Sequence, residues 1–81
     1  MRSNQQLRKV REKSFNLTVA KNLTLMRKAL NISQQEVSKS LNRTQQQYSK
    51  LENGDTHITA AIIMTLHQEH GFSIHDFFSN I

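Results

Sequence analysis

Five helices and no sheet make up the all-α fold that this 81-residue chain predicts. Three observations carry that reading. The chain has no proline and only two glycines, Gly54 and Gly71, so it offers few places for a helix to break. Its apolar residues recur at spacings of three and four rather than in alternation. Ser, Thr and Asn stand immediately before or after those runs, where helices need caps.

Val19, Leu23, Met26 and Leu30 are four, three and four residues apart and define one face of a first helix, 18–30. Asn31 suits the left-handed backbone that ends a helix, after which Ile32 turns inward. Ser33-Gln34-Gln35-Glu36 reads as a capping box, in which the Ser33 hydroxyl accepts a free amide and Glu36 reaches back to the Ser33 N–H. The second helix therefore starts at Gln34 and points Val37 and Leu41 inward, with the small Ser38 between them allowing close approach. Asn42, again suited to positive φ, breaks the chain at Leu41-Asn42-Arg43, and Thr44 caps a third helix. With Tyr48 and Leu51 inward, a turn of about 100° per residue sets Gln46, Ser49, Lys50 and Asn53 on the opposite face. Gln45 and Gln47 fall on its flanks, and Asn53-Gly54 ends it. Thr59 caps a fourth helix, expected to bury Ala60, Ile63, Met64, Leu66 and His67 before Gly71 stops it. Ser73 caps a short fifth helix, 74–78, expected to give Ile74, Phe77 and Phe78 to the core.

Residues 1–17 admit two readings. Leu7 and Val10 are one turn apart and suit a short amphipathic helix, while Arg2, Arg8, Lys9, Arg11 and Lys13 suit a mobile basic arm. The expected organisation is thus a basic arm or short extra helix, 1–17, followed by one domain, 18–81.

All eleven Lys and Arg lie in residues 1–50 against two acids, a net +9, whereas residues 51–81 carry four acids and no Lys or Arg, a net −4. Such a basic half either faces a polyanion, where each cation near a phosphate releases counterions, or is simply solvated. There are no cysteines, which removes disulfides and thiolate zinc sites and leaves packing to hold the fold. The longest apolar run, Ala60-Ala61-Ile62-Ile63-Met64, is far shorter than the ~20 residues of a membrane span, and a soluble, cytoplasmic protein is expected. His57, His67, His70 and His75 lack a nearby acidic ligand cluster, so no metal is expected. No Ser/His/Asp order, paired-carboxylate setting or Gly-rich loop suggests an enzyme, a cofactor or a small-molecule substrate.

A capped helix of about two turns, a three-residue turn and a second capped helix form a helix-turn-helix over 34–52, whose second helix suits the DNA major groove. Glutamine presents a donor and an acceptor that match the N6 and N7 edge of adenine, so Gln45-Gln46-Gln47 on an exposed face suit base reading.

In order, Leu23 and Arg27, Ile32-Ser33-Gln34-Gln35-Glu36, Leu41-Asn42-Arg43-Thr44, Tyr48 to Gly54, Gly71 to Ile74 and Asp76-Phe77-Phe78 resemble the Cro/C1-type, lambda-repressor-like helix-turn-helix family. The resemblance implies a DNA-binding transcriptional regulator, with base contacts from Gln45, Gln46, Gln47 and Lys50. It further implies backbone contacts from Arg43, Thr44, Ser49 and Asn53, and a phosphate contact from Gln34, which would also brace Gln45. Arg27 and Glu52 match a pair that forms an internal salt bridge. Ile62, Phe72, Phe77, Phe78 and Ile81 read either as core alone or, being generous for so small a domain, as an interface; family members commonly dimerise through the last helix, which implies a homodimer on a pseudo-palindromic operator with these residues in the contact. With no residues left for a sensor domain, control is expected through concentration, oligomerisation or a partner. A second implication is an antitoxin that binds a protein toxin and regulates its own operon. Three positions depart from the family pattern: Asn42-Arg43 replaces Gly and a small aliphatic residue, His70 replaces a core aliphatic, and Ile62 replaces a polar residue. An outward guanidinium reaching for phosphate is the expectation for Arg43, since an unpaired buried charge is costly.

Overall fold

The computed structural model describes residues 4–81, with side chains from residue 9 onward. Five helices follow in order: α1 (Asn4–Ala29), α2 (Gln34–Ser40), α3 (Gln45–Glu52), α4 (Ala60–His70) and α5 (Ile74–Phe77), with no strand among the described residues. The described residues form a small all-helical domain, consistent with the lambda-repressor-like fold that the sequence resemblance implies.

The first helix is longer than its apolar face predicts, running 26 residues without a break at Thr18. Thr18 does not cap: its hydroxyl donates to the Ser14 carbonyl four residues back, as Thr does inside a helix. Between residues 4 and 29 there is no glycine or proline, and Gln, Arg, Lys, Glu and Leu all propagate a helix well. At ~1.5 Å per residue α1 spans about 39 Å, which accounts for most of the 45 Å long axis of the molecule. Lys9, Val10, Arg11 and Lys13 are exposed along its first half. Met1 and Arg2 lie outside the described residues, as do the side chains of Leu7 and Arg8.

The first three helices end in the same way. Ile32 N–H bonds to Arg27 O and Asn31 N–H to Lys28 O; Arg43 and Asn42 repeat this on Ser38 and Lys39, and Asp55 and Gly54 on Lys50 and Leu51. This is the paired closure of a Schellman turn, which needs one residue in the left-handed region, here Asn31 (φ 57°), Asn42 (φ 55°) and Gly54 (φ 78°). Thr44, Thr59 and Ser73 cap the following helices through their hydroxyls, as their sequence positions predict. At Ser33 only half of the expected box forms: Ser33 Oγ accepts the Glu36 N–H at 3.1 Å, without the return bond from Glu36.

α3 lies against α1 and α2, while α4 and α5 close the other side of the core. Val19, Leu23, Val37, Tyr48, Leu51, Ile62, Ile63, Leu66, Phe72 and Phe77 form one buried cluster, with Phe72 and Phe77 stacked at 6.0 Å between ring centroids. Several expected core residues are instead exposed. In α4 the inward face is Ile62, Ile63 and Leu66, so Ala60, Met64 and His67 face outward. Five consecutive apolar residues cover the whole circumference of the first turn, and their spacing sets no phase. Leu30 is exposed because the chain has already left the helix into its Schellman turn. In α5 only Phe77 is buried; Ile74 and Phe78 are exposed. Among the described residues no helix is long and apolar enough to cross a membrane.

Candidate nucleic-acid interface

α3 is fixed from its first residue. The Thr44 hydroxyl accepts the Gln47 N–H at 3.1 Å while Gln47 Oε1 accepts the Thr44 N–H at 2.9 Å, a complete capping box. The sequence places a box at Ser33 and a simple cap at Thr44; the structure reverses the two.

On the inner side Tyr48 and Leu51 have no exposed surface, and Glu52 follows them into a polar junction of three helices. Arg27 donates from Nε to Glu52 Oε2 at 2.6 Å and from Nη2 to Oε1 at 3.2 Å, and its Nη1 holds the Ile32 carbonyl at 2.9 Å. The Tyr48 hydroxyl donates to Glu52 Oε2, and Gln34 Nε2 donates to Oε1 at 3.0 Å. The two charged side chains are only 12% and 5% exposed, so neither is left to water. Burial alone would raise the Glu52 carboxyl, but hydrogen bonds from Arg27, Tyr48 and Gln34 outweigh it and hold the group below the ordinary carboxylate value. Burial first, then the bond to this carboxylate, pushes the Tyr48 phenol far up, so it stays a donor. The bond to Glu52 raises the Arg27 guanidinium.

Gln34 departs from its expected bracing role. Its amide is turned toward Glu52, and the structure shows no bond from it to Gln45. The cause is the carboxylate itself, which is a stronger acceptor than a neutral amide oxygen.

On the outer side Gln45, Gln46, Gln47 and Lys50 are exposed, with Arg43, Thr44 and the C-cap Asn53 exposed at the two ends and Ser49 half-buried. Thr44, Gln46, Gln47, Ser49 and Lys50 line an open depression on this face. The exposed charges of the turn and helix, Arg43 and Lys50, are both cations, and the acid within α3, Glu52, is paired with Arg27, while Asp55 is exposed in the loop that follows. Arg43 is outward, as the cost of burying it predicts. This surface is polar, cationic and rich in amides, which suits a base edge framed by phosphates.

Two asparagines that spacing arguments miss position the interface. Asn16 on α1 donates from Nδ2 to Gly54 O (3.2 Å) and Thr56 O (3.3 Å) and accepts the Ile58 N–H on Oδ1 (3.2 Å), pinning the loop that leaves α3. Buried Asn22 donates to both Phe77 O and Ser79 O at 2.9 Å, tying the end of the chain to α1. A polar residue on an otherwise apolar helix face is the available signal for Asn22. Gly54 also sits where an added Cβ would lie 2.5 Å from Leu17 Cδ2, so α1 packs tightly against the exit of α3.

The residues proposed for dimerisation separate into two groups. Ile62, Phe72 and Phe77 are spent inside the single chain, the last two with no exposed surface, because a domain this small needs them for its own core. Phe78 and Ile81 are 51% and 55% exposed. His70, at a usually aliphatic position, is half-buried with its ring edge-on to Phe72 and Nε2 2.6 Å from Ser40 Oγ. His67, although exposed, has Nδ1 2.8 Å from the Phe72 carbonyl.

A family model described as helix-turn-helix matches residues 23–77, from the last two turns of α1 to the end of α5. No curated protein and no solved structure matches the chain.

Proposed function

The chain belongs to the Cro/C1-type helix-turn-helix family and is a DNA-binding transcription regulator, and on that premise we propose that it is a sequence-specific homodimeric repressor or controller reading a pseudo-palindromic operator. One observation carries the reading. α3 is anchored on its inner side by fully buried Tyr48 and Leu51 and by the Glu52 junction, while Gln45, Gln46 and Lys50 stand exposed on the other. A rigid helix with free amides is what discrimination between bases needs, because amides pair with a particular edge whereas cations grip any phosphate.

In this proposal α3 enters the major groove. Gln45, Gln46, Gln47 and Lys50 face the bases; Arg43, Thr44, Ser49 and Asn53 hold the flanking phosphates, with Gln34 offering its second amide hydrogen. Phe78 and Ile81 form the two-fold contact, a smaller apolar patch than the sequence suggests, and set the two recognition helices one turn of DNA, about 34 Å, apart. Selection of bound fragments from random DNA tests the whole proposal. A consensus with two inverted half-sites spaced by about one helical turn is expected; enrichment without any consensus would contradict it. Light scattering at high micromolar concentration checks the dimer, and a monomer there removes it.

A further inference from the structure

We infer that Gln47 is a donor-only reader: its carboxamide is locked by the capping box so that Nε2 alone faces the DNA and selects a base with an acceptor edge. This rests on the proposal that α3 reads bases. The Thr44 N–H at 2.9 Å can only donate, so the Gln47 atom facing it must be the carbonyl oxygen, which fixes which way the amide is turned. The second bond of the box, Gln47 N–H to Thr44 Oγ1 at 3.1 Å, holds the side chain and backbone of this residue to the same partner.

The planarity of the amide has a direct consequence. With Oε1 turned back to the N-cap, Oε1 and Nε2 cannot both lie against one base edge, so the two-bond pairing with adenine N6 and N7 is closed to Gln47. Nε2 points away from the cap, has no acceptor among the described residues, and belongs to a side chain that lines the depression shared with Gln46 and Lys50. A lone N–H donor there is satisfied by guanine O6 or N7, by thymine O4 or by adenine N7, and it opposes the N4 amino group of cytosine. Gln45 and Gln46 have no such bond among the described residues and keep both amide atoms. Three successive glutamines are therefore not equivalent.

Gln47→Glu separates reading from capping. A glutamate three residues after the N-cap preserves the box, and its charge is favourable at a helix N-terminus, so the melting temperature should hold or rise. The outward amide NH2 becomes a carboxylate oxygen, an acceptor that cytosine N4 or adenine N6 satisfies. Fragment selection followed by affinity measurement on single-position variants is expected to show one symmetric pair of positions at which guanine and thymine, whose major-groove polar groups are all acceptors, lose about three- to tenfold relative to cytosine. Equal weakening on every sequence with the base preference unchanged would overturn the inference, leaving Gln47 a cap or a phosphate contact. Gln46→Ala run in parallel distinguishes the two levels: if it too leaves every preference unchanged, base reading by α3 fails; if it changes one and Gln47→Glu does not, only the locked amide is wrong.

Discussion

On the inner side of α3 the polar groups of Tyr48 and Glu52 are all partnered, tied to α1 by Arg27 and to α2 by Gln34. On the outer side the side chains of Gln45, Gln46 and Lys50 have no hydrogen-bond partner among the described residues, although they occupy the same eight-residue helix. The contrast separates two tasks that share one short segment. Polar groups satisfied inside fix where the helix lies; polar groups left unsatisfied outside have their bonding capacity free for a ligand. Substitutions on the two sides should therefore move different observables.

The largest effect is expected at the junction. Glu52→Ala leaves the Arg27 guanidinium and the Tyr48 hydroxyl without their acceptor, and removal of one partner of a buried pair costs about 3–5 kcal/mol. Urea unfolding should show this as a lower midpoint with little change in slope; a loss below about 1 kcal/mol would place the pair among ordinary surface ion pairs. A smaller effect on the same side comes from pH. The Glu52 carboxyl sits below its ordinary value of 4.5 in the folded chain, so its contribution is complete above that value and is lost as pH falls through the depressed folded value. Melting curves from neutral pH to about pH 2 should fall less steeply for Glu52→Ala than for the parent. Parallel curves would mean that this carboxylate is not a folding linkage.

Outer-side effects come next and should leave the melting temperature alone. Gln46→Ala is expected to cost about 1–3 kcal/mol on the selected operator and to relax one symmetric pair of positions. Unchanged affinity for every operator variant would remove Gln46 from the base-reading set. The smallest change belongs to Arg43→Ala, which should weaken all sequences alike and reduce the salt dependence by roughly one phosphate. A sequence-dependent loss there would move Arg43 from the backbone to the bases.

The same contrast explains what the sequence discloses. Caps and Schellman turns are local: Thr44 needs only Gln47, and Asn31 and Asn42 need only the turn before them, so α2, the turn and α3 are legible at their true positions. The fold class and the outward glutamines follow from that local grammar. The true start of α1 does not, because a Thr hydroxyl serves equally as a cap or as a bond to the preceding turn, and only the surrounding chain decides at Thr18. Nor does the phase of α4, where residues 60–64 are apolar on every side and packing against α2 and α5 decides which of them turn inward. Asn16 and Asn22 act across separations of 38 to 57 residues, so the sequence marks Asn22 only as a polar residue on an apolar face and names the partners of neither. The bond from Gln34 to Glu52 is hidden for the same reason: two helices must pack before the carboxylate can compete for the amide.

Nuclear magnetic resonance of the glutamine side-chain amides during titration with the selected operator tests the base-reading claim most directly. The Nε2 resonances of Gln45 and Gln46 should shift strongly and exchange more slowly on the cognate sequence than on scrambled DNA of equal length, with the Tyr48 and Leu51 signals nearly still. Identical glutamine shifts on both DNAs, with changes confined to Lys and Arg, would show a protein that grips phosphate without reading bases.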